Sequence, residues 1–302
     1  MSYFVRRITK FKNKKYKYKY FNEDNKEISK KLIEKYLKQL YIPPGYDNVK
    51  IYKNRNKNIL AIGYDNKNRP QYIYNKNFID KNKKRKFQKL IQFGKEYKKI
   101  KNNIIQDLDS GNQIDTDIAL ILYLIINCNI RIGNKKYTQT NNSYGASTLK
   151  KKHFKVSKNH IKISFKGKKG VINNCNIKPN KQNQWIIHLF KEKLKNNSSK
   201  LFNVSNVQIN GYLKKFGPYT TKYFRTWNAN IELIKLLQKN KDINDCIKIV
   251  SNNLHHTPNI CKSNYLEPNL IKFYKKDKDK FIKYFKSNIN HKFTLFLEKN
   301  YL

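Results

Sequence analysis

Residues 71–108 read QYIYNKNFIDKNKKRKFQKLIQFGKEYKKIKNNIIQDL, and their pattern changes partway. The opening QYIYN is a short strand-like piece, whereas Asn82 to Leu108 carries a long basic helical pattern. Between the two, Asn75–Lys86 is charged and poor in apolar residues, which predicts a linker. This switch near residue 78 predicts an α+β chain, with a small β-rich N-terminal domain over residues 1–77 and a larger, mainly α-helical domain over residues 78–302.

Upstream of the switch the pieces are short. YKYKYF (Tyr16–Phe21) alternates with period two, and VKIY and ILAIGYD are bounded by the turn-rich KNRNKN and NKNRP. SKKLIEKYLKQL offers Ser29 as N-cap and sets Leu32, Ile33, Tyr36, Leu37 and Leu40 at helical spacing. Downstream, TDIALILYLIINCN reads as a capped apolar helix. HIKISFKGKKGVINNCNI returns to alternation around Gly167–Gly170, which predicts a hairpin projecting from helices. Further helical patterns follow at NQWIIHLFKEKL, VQINGYLKKFG, NANIELIKLLQKN and KDKFIKYFKSNI.

The 302 residues include 66 Lys and Arg against 20 Asp and Glu, a formal charge of +46. Such a field calls for a polyanionic partner. Basic residues run the full length instead of collecting on one amphipathic segment, so nucleic acid is favoured over an acidic membrane surface. An A+T-rich coding sequence would inflate Lys, Asn, Ile and Tyr together, but it does not explain the scarcity of acids. Cys128, Cys175, Cys246 and Cys261 form no C-x-x-C pair and no disulfide-dense framework, so neither a zinc site nor an oxidising compartment is expected. MSYFVRRITKFK lacks the form of a signal peptide, and the most apolar run, Ile118–Ile126, is too short to span a bilayer. An intracellular protein is expected.

HHTPNICKSNY, residues 255–265, holds a candidate nucleophile in Tyr265. A phenol with a reference pKa of ~10 attacks a phosphodiester only where cations activate it and neutralise charge on the non-bridging oxygens. A general acid must also protonate the leaving 5′ oxygen. Arginine is scarce here beside lysine, so Arg131 in CNIRIGNKKY and Arg225 in TKYFRTWNAN stand out as planar forks for a phosphate. Each could equally cap a helix or pair with a carboxylate. Lys168 in FKGKKG, flanked by Lys166 and Lys169, would ride on the hairpin tip, where a solvated turn is the plainer reading. His256 could donate to a phosphate oxygen or serve structure. A metal reading is poorly supported, with Cys261 the only soft ligand nearby.

Taken in order, IRIGNKKY, SYGASTLKKKHF, FKGKKG, KYFRTW and HTPNICKSNY closely resemble the type IB DNA topoisomerases of the small poxvirus and bacterial kind. Upstream, YIPPGYDNVKIY and AIGYDNKNRPQYIYN are similar to the same family's N-terminal β domain, so the resemblance runs from about Tyr41 to about Pro268. It implies a catalytic domain of the tyrosine recombinase and topoisomerase IB type that closes with the β domain round duplex DNA. It also implies nicking through a 3′-phosphotyrosyl intermediate, rotation and religation, without ATP, metal or other cofactor. By the matching motifs Tyr265 is the nucleophile, Arg131 and Arg225 stabilise the phosphorane, His256 donates to a non-bridging oxygen, and Lys168 protonates the leaving oxygen. Lys222 in KYFR stands where recombinases usually carry histidine. Gln71 and Tyr72 match the strand that enters the major groove, or pack across the sheet, and Tyr137 matches a tyrosine near the DNA backbone. Two positions depart from the family: Lys135 and Lys136 replace a common acidic pair, and His255 replaces a common glycine. The resemblance implies double-stranded DNA as partner, no membrane, no obligatory protein partner and a monomer, in virion and host cytoplasm if the source is viral. The rival readings are a tyrosine site-specific recombinase and a non-catalytic basic DNA-binding clamp.

Overall fold

The structure is a computed structural model that describes residues 2–12, 15–38, 40–195 and 200–302. The chain divides into two compact units, Met1–Lys86 and Phe87–Leu302.

The first unit is built on β1 (Tyr3–Lys12), β2 (Lys15–Phe21), β3 (Glu27–Ile28), α1 (Lys30–Leu37), β4 (Asp47–Tyr52), β5 (Ile59–Tyr64) and β6 (Pro70–Tyr74). The strands form one antiparallel sheet in the order β3-β2-β1-β4-β5-β6. Alternation explains its core: Val49 and Ile51 of β4 and Ala61 of β5 point to one face and are buried with Leu40 and Ile42, against Tyr36 and Leu37 of α1. The edge strand β6 pairs Gln71 with Gly63 and Tyr72 with Ile62, which leaves Tyr72 and Tyr74 exposed and stacked at 6.2 Å.

The stretch expected to be a linker is helical instead. Helix α2 (Lys76–Asp107) begins at Lys76, inside the first unit, and Asn75 accepts the Ile79 N–H. Lysine and asparagine there are poor in apolar contacts, yet nothing in Asn75–Lys86 breaks a helix. The second unit continues with α3 (Gln113–Cys128) and α4 (Lys135–Asn141), then a sheet of β7 (Phe154–Val156), β8 (Ile161–Lys166) and β9 (Ile172–Ile177). It ends in α5 (Trp185–Lys195), α6 (Asn206–Lys214), α7 (Thr221–Leu237), α8 (Ile243–Asn253), α9 (Pro258–Asn264), α10 (Pro268–Lys276), α11 (Lys278–Phe285) and α12 (Ile289–Tyr301). Helix α3 starts before the expected TDIAL because the Asn112 side chain caps it, accepting from the Ile114 and Asp115 N–H groups. It is buried on every face from Asp117 to Ile125, at the centre of the unit. No helix among the described residues is long and apolar enough to cross a membrane.

The cysteine spacing gave no sign of one pairing. Cys128, the last residue of α3, is joined by a disulfide to Cys175 on β9, whereas Cys246 and Cys261 are free and buried. The partners lie 47 residues apart in the chain, a spacing that carries no signal until α3 and the hairpin are brought together.

Trp227 of α7 is fully buried among Phe93 and Tyr97 of α2 and Phe293 of α12, and a glycine makes this possible. A Cβ added at Gly94 would lie 2.4 Å from the Trp227 ring and 2.5 Å from Thr294 Oγ1. Alanine in a helix interior is ordinarily favoured over glycine by ~1 kcal/mol. Here Gly94→Ala is expected to cost about 1–3 kcal/mol through overpacking, read as a lower thermal midpoint; a midpoint equal to or above wild type would show that the three helices are not in this contact.

Candidate active site

Tyr265 sits where three separated parts of the second unit meet. Its own segment is simple: Thr257 is the N-cap of α9, its hydroxyl facing the Ile260 N–H, Pro258 occupies the first turn, and Tyr265 caps the other end with its N–H on the Cys261 carbonyl. His256 therefore lies just before this seven-residue helix and Tyr265 just after it. Their side chains still meet, with His256 Nε2 3.2 Å from the Tyr265 hydroxyl and the ring centres 5.2 Å apart.

Arg225 enters from α7, one turn after its start, between the fully buried Phe224 and the nearby Trp227. It is only 3% exposed. Its Nη2 donates to the Leu254 carbonyl at 3.0 Å and to the Tyr265 hydroxyl at 3.4 Å, while its Nη1 is buried without a hydrogen-bond partner. A charged donor left unpaired in the interior is costly unless something else accepts from it.

Arg131 comes from the chain just beyond α3. Asn129 ends that helix in the left-handed region (φ +51°), Ile130 is buried, and the Arg131 carbonyl accepts the Ala146 N–H at 2.8 Å. Gly133 (φ +97°) and Gly145 allow the two backbones to cross, since a Cβ on Gly145 would lie 2.6 Å from the Arg131 carbonyl oxygen. Arg131 Nη2 then donates to His256 Nε2 at 2.6 Å, so in this arrangement that nitrogen carries the lone pair.

Among the described residues neither arginine makes an ion pair. Burial, and then the charge of Arg225, lower the Arg131 pKa, opposed by Tyr265. Burial foremost, then Arg131, Arg225, His255 and Lys168, pull His256 down to about 4, so it is neutral at pH 7. His255 is likewise pulled down to about 4, by burial and then by Arg225 and Arg131, against a smaller raising influence of the Cys128 backbone. Its backbone adopts φ +54°, a region that favours glycine, and its Nε2 is buried without a partner. The residue type is unusual at such a position, but the geometry is the one glycine would supply.

The other expected residues are more dispersed. Lys168 lies in the exposed turn between β8 and β9, near enough to His256 for its charge to be felt there, with no direct contact. Lys222 is exposed on α7 one turn before Arg225, and Tyr137 is exposed on α4. Gln71 and Tyr72 belong to the other unit, where the Gln71 amide donates to Asp65. Among the described residues no group of three or more His, Cys, Asp or Glu is arranged to hold a metal ion.

Sequence reading missed Asn230, which is fully buried on α7. Its amide donates to the Tyr265 carbonyl at 3.0 Å and to the Thr226 carbonyl at 2.7 Å, and its oxygen accepts the Glu267 N–H at 2.7 Å. The carboxylate of Glu267 in turn accepts from the Leu270 N–H and the Tyr301 hydroxyl. The available signal was an amide at helical spacing with the apolar Trp227 and Ile234, five residues after Arg225.

The family model described as "Eukaryotic DNA topoisomerase I, catalytic core" matches residues 75–291, and "Bacterial DNA topoisomerase IB, N-terminal domain" matches residues 17–65. The chain is 31% identical over 298 residues to DNA topoisomerase 1B of Acanthamoeba polyphaga mimivirus, covering 88% of this chain and 86% of that protein. It is 27% identical over 265 residues to DNA topoisomerase 1B of Vaccinia virus (strain Copenhagen), covering 79% and 81%.

The depressed histidines set a direction for stability. At ordinary histidine values the unfolded chain takes up protons below about 6.5 that the folded protein refuses until about 4. Stability is therefore full above pH 6.5 and falls as pH drops toward 4. Melting curves at pH 7.5 and 5.0 are expected to show this loss, and His256→Asn to reduce it; an unchanged pH dependence in the variant would remove His256 as a source.

Proposed function

The chain belongs to the type IB DNA topoisomerase family, and from that premise we propose that Tyr265 is its nucleophile and that Arg131, Arg225, His256 and Lys168 balance the charges and protons of the exchange. The reaction is relaxation of duplex DNA by transient nicking of one strand. The observation that carries the residue assignment is convergence: Arg225 and His256 both touch the Tyr265 hydroxyl, and Arg131 touches His256.

In this reading the scissile phosphate enters beside Tyr265, where the unpartnered Nη1 of Arg225 offers a donor to a non-bridging oxygen. Arg131 turns from His256 to the same phosphate, which frees the neutral imidazole to donate in its other tautomer. The tyrosine oxygen bonds to phosphorus as the bond to the 5′ oxygen breaks, and its proton passes to solvent water. Lys168, on its hairpin, delivers a proton to that leaving oxygen. Fixed cations carry the electrostatic load that metal ions carry at many phosphoryl-transfer sites. The phosphodiester becomes a 3′-phosphotyrosyl diester, so one ester replaces another and the freed 5′-hydroxyl can reverse the step without an external energy source. Supercoil strain drives rotation in between.

In the same reading β8 and β9 form the lysine-bearing hairpin of a recombinase-like catalytic domain. The exposed Tyr72 and its neighbour Gln71 supply contacts to bases, and Tyr137 and Lys222 supply contacts to the backbone. One chain acts alone, in virion or host cytoplasm, as the viral relatives suggest.

Plasmid relaxation with chelator present tests the assignment. Tyr265→Phe is expected to bind DNA but to give neither relaxation nor a covalent adduct, and Arg225→Ala to slow cleavage by about 10²–10³-fold. An adduct formed by Tyr265→Phe would sink the reading.

A further inference from the structure

Lys168 sits in the turn that joins β8 to β9, two strands held in different ways. In the sheet order β7-β8-β9 the strand β9 lies at an edge. Its partner β8 buries Ile161, Ile163 and Phe165 against the helical core. By contrast, β9 alternates between exposed positions and Asn173, Cys175 and Ile177, and only the first and last of these three are fully buried. Cys175 is thus the central inward-facing residue of the edge strand. It is also the one joined covalently to α3, through Cys128.

The other end of that bond lies inside the candidate site. Cys128 stands three residues before Arg131, and its backbone is close enough to influence His255, the neighbour of His256. Beyond Cys175, Ile172 pairs with Lys166, and the Gly167 N–H donates to the Val171 carbonyl to close the turn that carries Lys168. From Cys175 to Ile172 is about 10 Å at ordinary strand rise. Within the turn Asn173 fills the space above Gly167, where a Cβ would lie 2.4 Å from its amide nitrogen, so the tip is internally well determined. Its position relative to Arg131 is set on the β8 side by the Tyr144 N–H, which donates to the Lys166 carbonyl at 2.9 Å, and on the other side by what anchors β9.

We propose that the Cys128–Cys175 disulfide is a positioning element for the proton-transfer step: it fixes the Lys168 hairpin to the segment that carries Arg131, and its reduction slows departure of the 5′ oxygen. The inference rests on the reading of Lys168 as general acid. The bond is within reach of small reagents, since Cys128 and Cys175 line an open cavity of about 590 Å³ with Asn127, Asn174 and Asn176. A dithiol supplies two electrons and two protons, the S–S bond breaks to give two thiols, and the dithiol closes to its own cyclic disulfide.

The test uses single-turnover cleavage of two DNA duplexes that differ in one atom. One has the ordinary 5′ oxygen at the scissile bond. The other has sulfur there, and a thiolate, with a thiol pKa of ~8.5 against an alcohol's far higher value, leaves without a proton. Peptide mapping of the oxidised protein first establishes the disulfide, and alkylation after mild reduction identifies the two released thiols.

Reduced wild type and Cys175→Ser are expected to cleave the oxygen substrate about tenfold more slowly, part of the ~10²–10⁴-fold a general acid contributes. On the sulfur substrate they should fall within about twofold of the oxidised protein, and reoxidation should restore the wild type alone. Equal slowing on both substrates, no slowing on either, or two free thiols in the oxidised protein would each overturn the proposal. Lys168→Ala separates the two levels. If it slows both substrates alike, the general-acid reading fails and takes this inference with it. If it spares the sulfur substrate while reduction does not, only the positioning role of the disulfide is lost.

Discussion

Two guanidinium groups and a neutral imidazole share the surroundings of one phenol, and among the described residues no carboxylate pairs with either arginine. Like charges in a partly dry interior repel, and a buried donor without an acceptor is unfavourable. The second unit is arranged to hold this unfavourable cluster in place. Arg225 is held by the Leu254 carbonyl and by packing on α7, Arg131 by the backbone crossing at Gly133 and Gly145, and His256 by the capped start of α9. Each support is apolar or neutral, so none cancels the field aimed at an incoming anion. Burial first, and that field second, hold His255 and His256 low.

What compensates lies away from the site. The aromatic cluster around Trp227, the all-buried helix α3 and the tight approach at Gly94 are where the second unit gains its packing. Helix α7 joins the two regions: Phe224 and Trp227 face the cluster, whereas Arg225 and Asn230 face Tyr265. A helix that is rigid because of one face can aim side chains on the other.

Much of this was legible in the sequence, and the limits follow from the physics. Strand alternation in YKYKYF and QYIYN and the apolar run of α3 reflect local periodicity, which needs no partner to be read. Ordered motifs pointed to Arg131, Arg225, His256 and Tyr265, which the structure brings into contact. The linker expectation failed because scarcity of apolar residues does not unmake a helix. The bond between Cys128 and Cys175 stayed hidden because neither cysteine's local setting marks its partner. Asn230 was overlooked for a similar reason: its work is to bind two backbone groups far along the chain, and nothing in its own neighbourhood names them.

Asn230 also has a mechanical meaning. If Tyr265 carries a DNA end, as proposed, every twist of the duplex would pull on the main chain between Tyr265 and Glu267. That short span is gripped on both sides by one buried amide, and Glu267 is moored in turn to Tyr301 of the last helix. Torque would thus run from the covalent end into the helical body through neutral hydrogen bonds, leaving the charged groups unloaded and aligned for resealing, while the unattached end swivels.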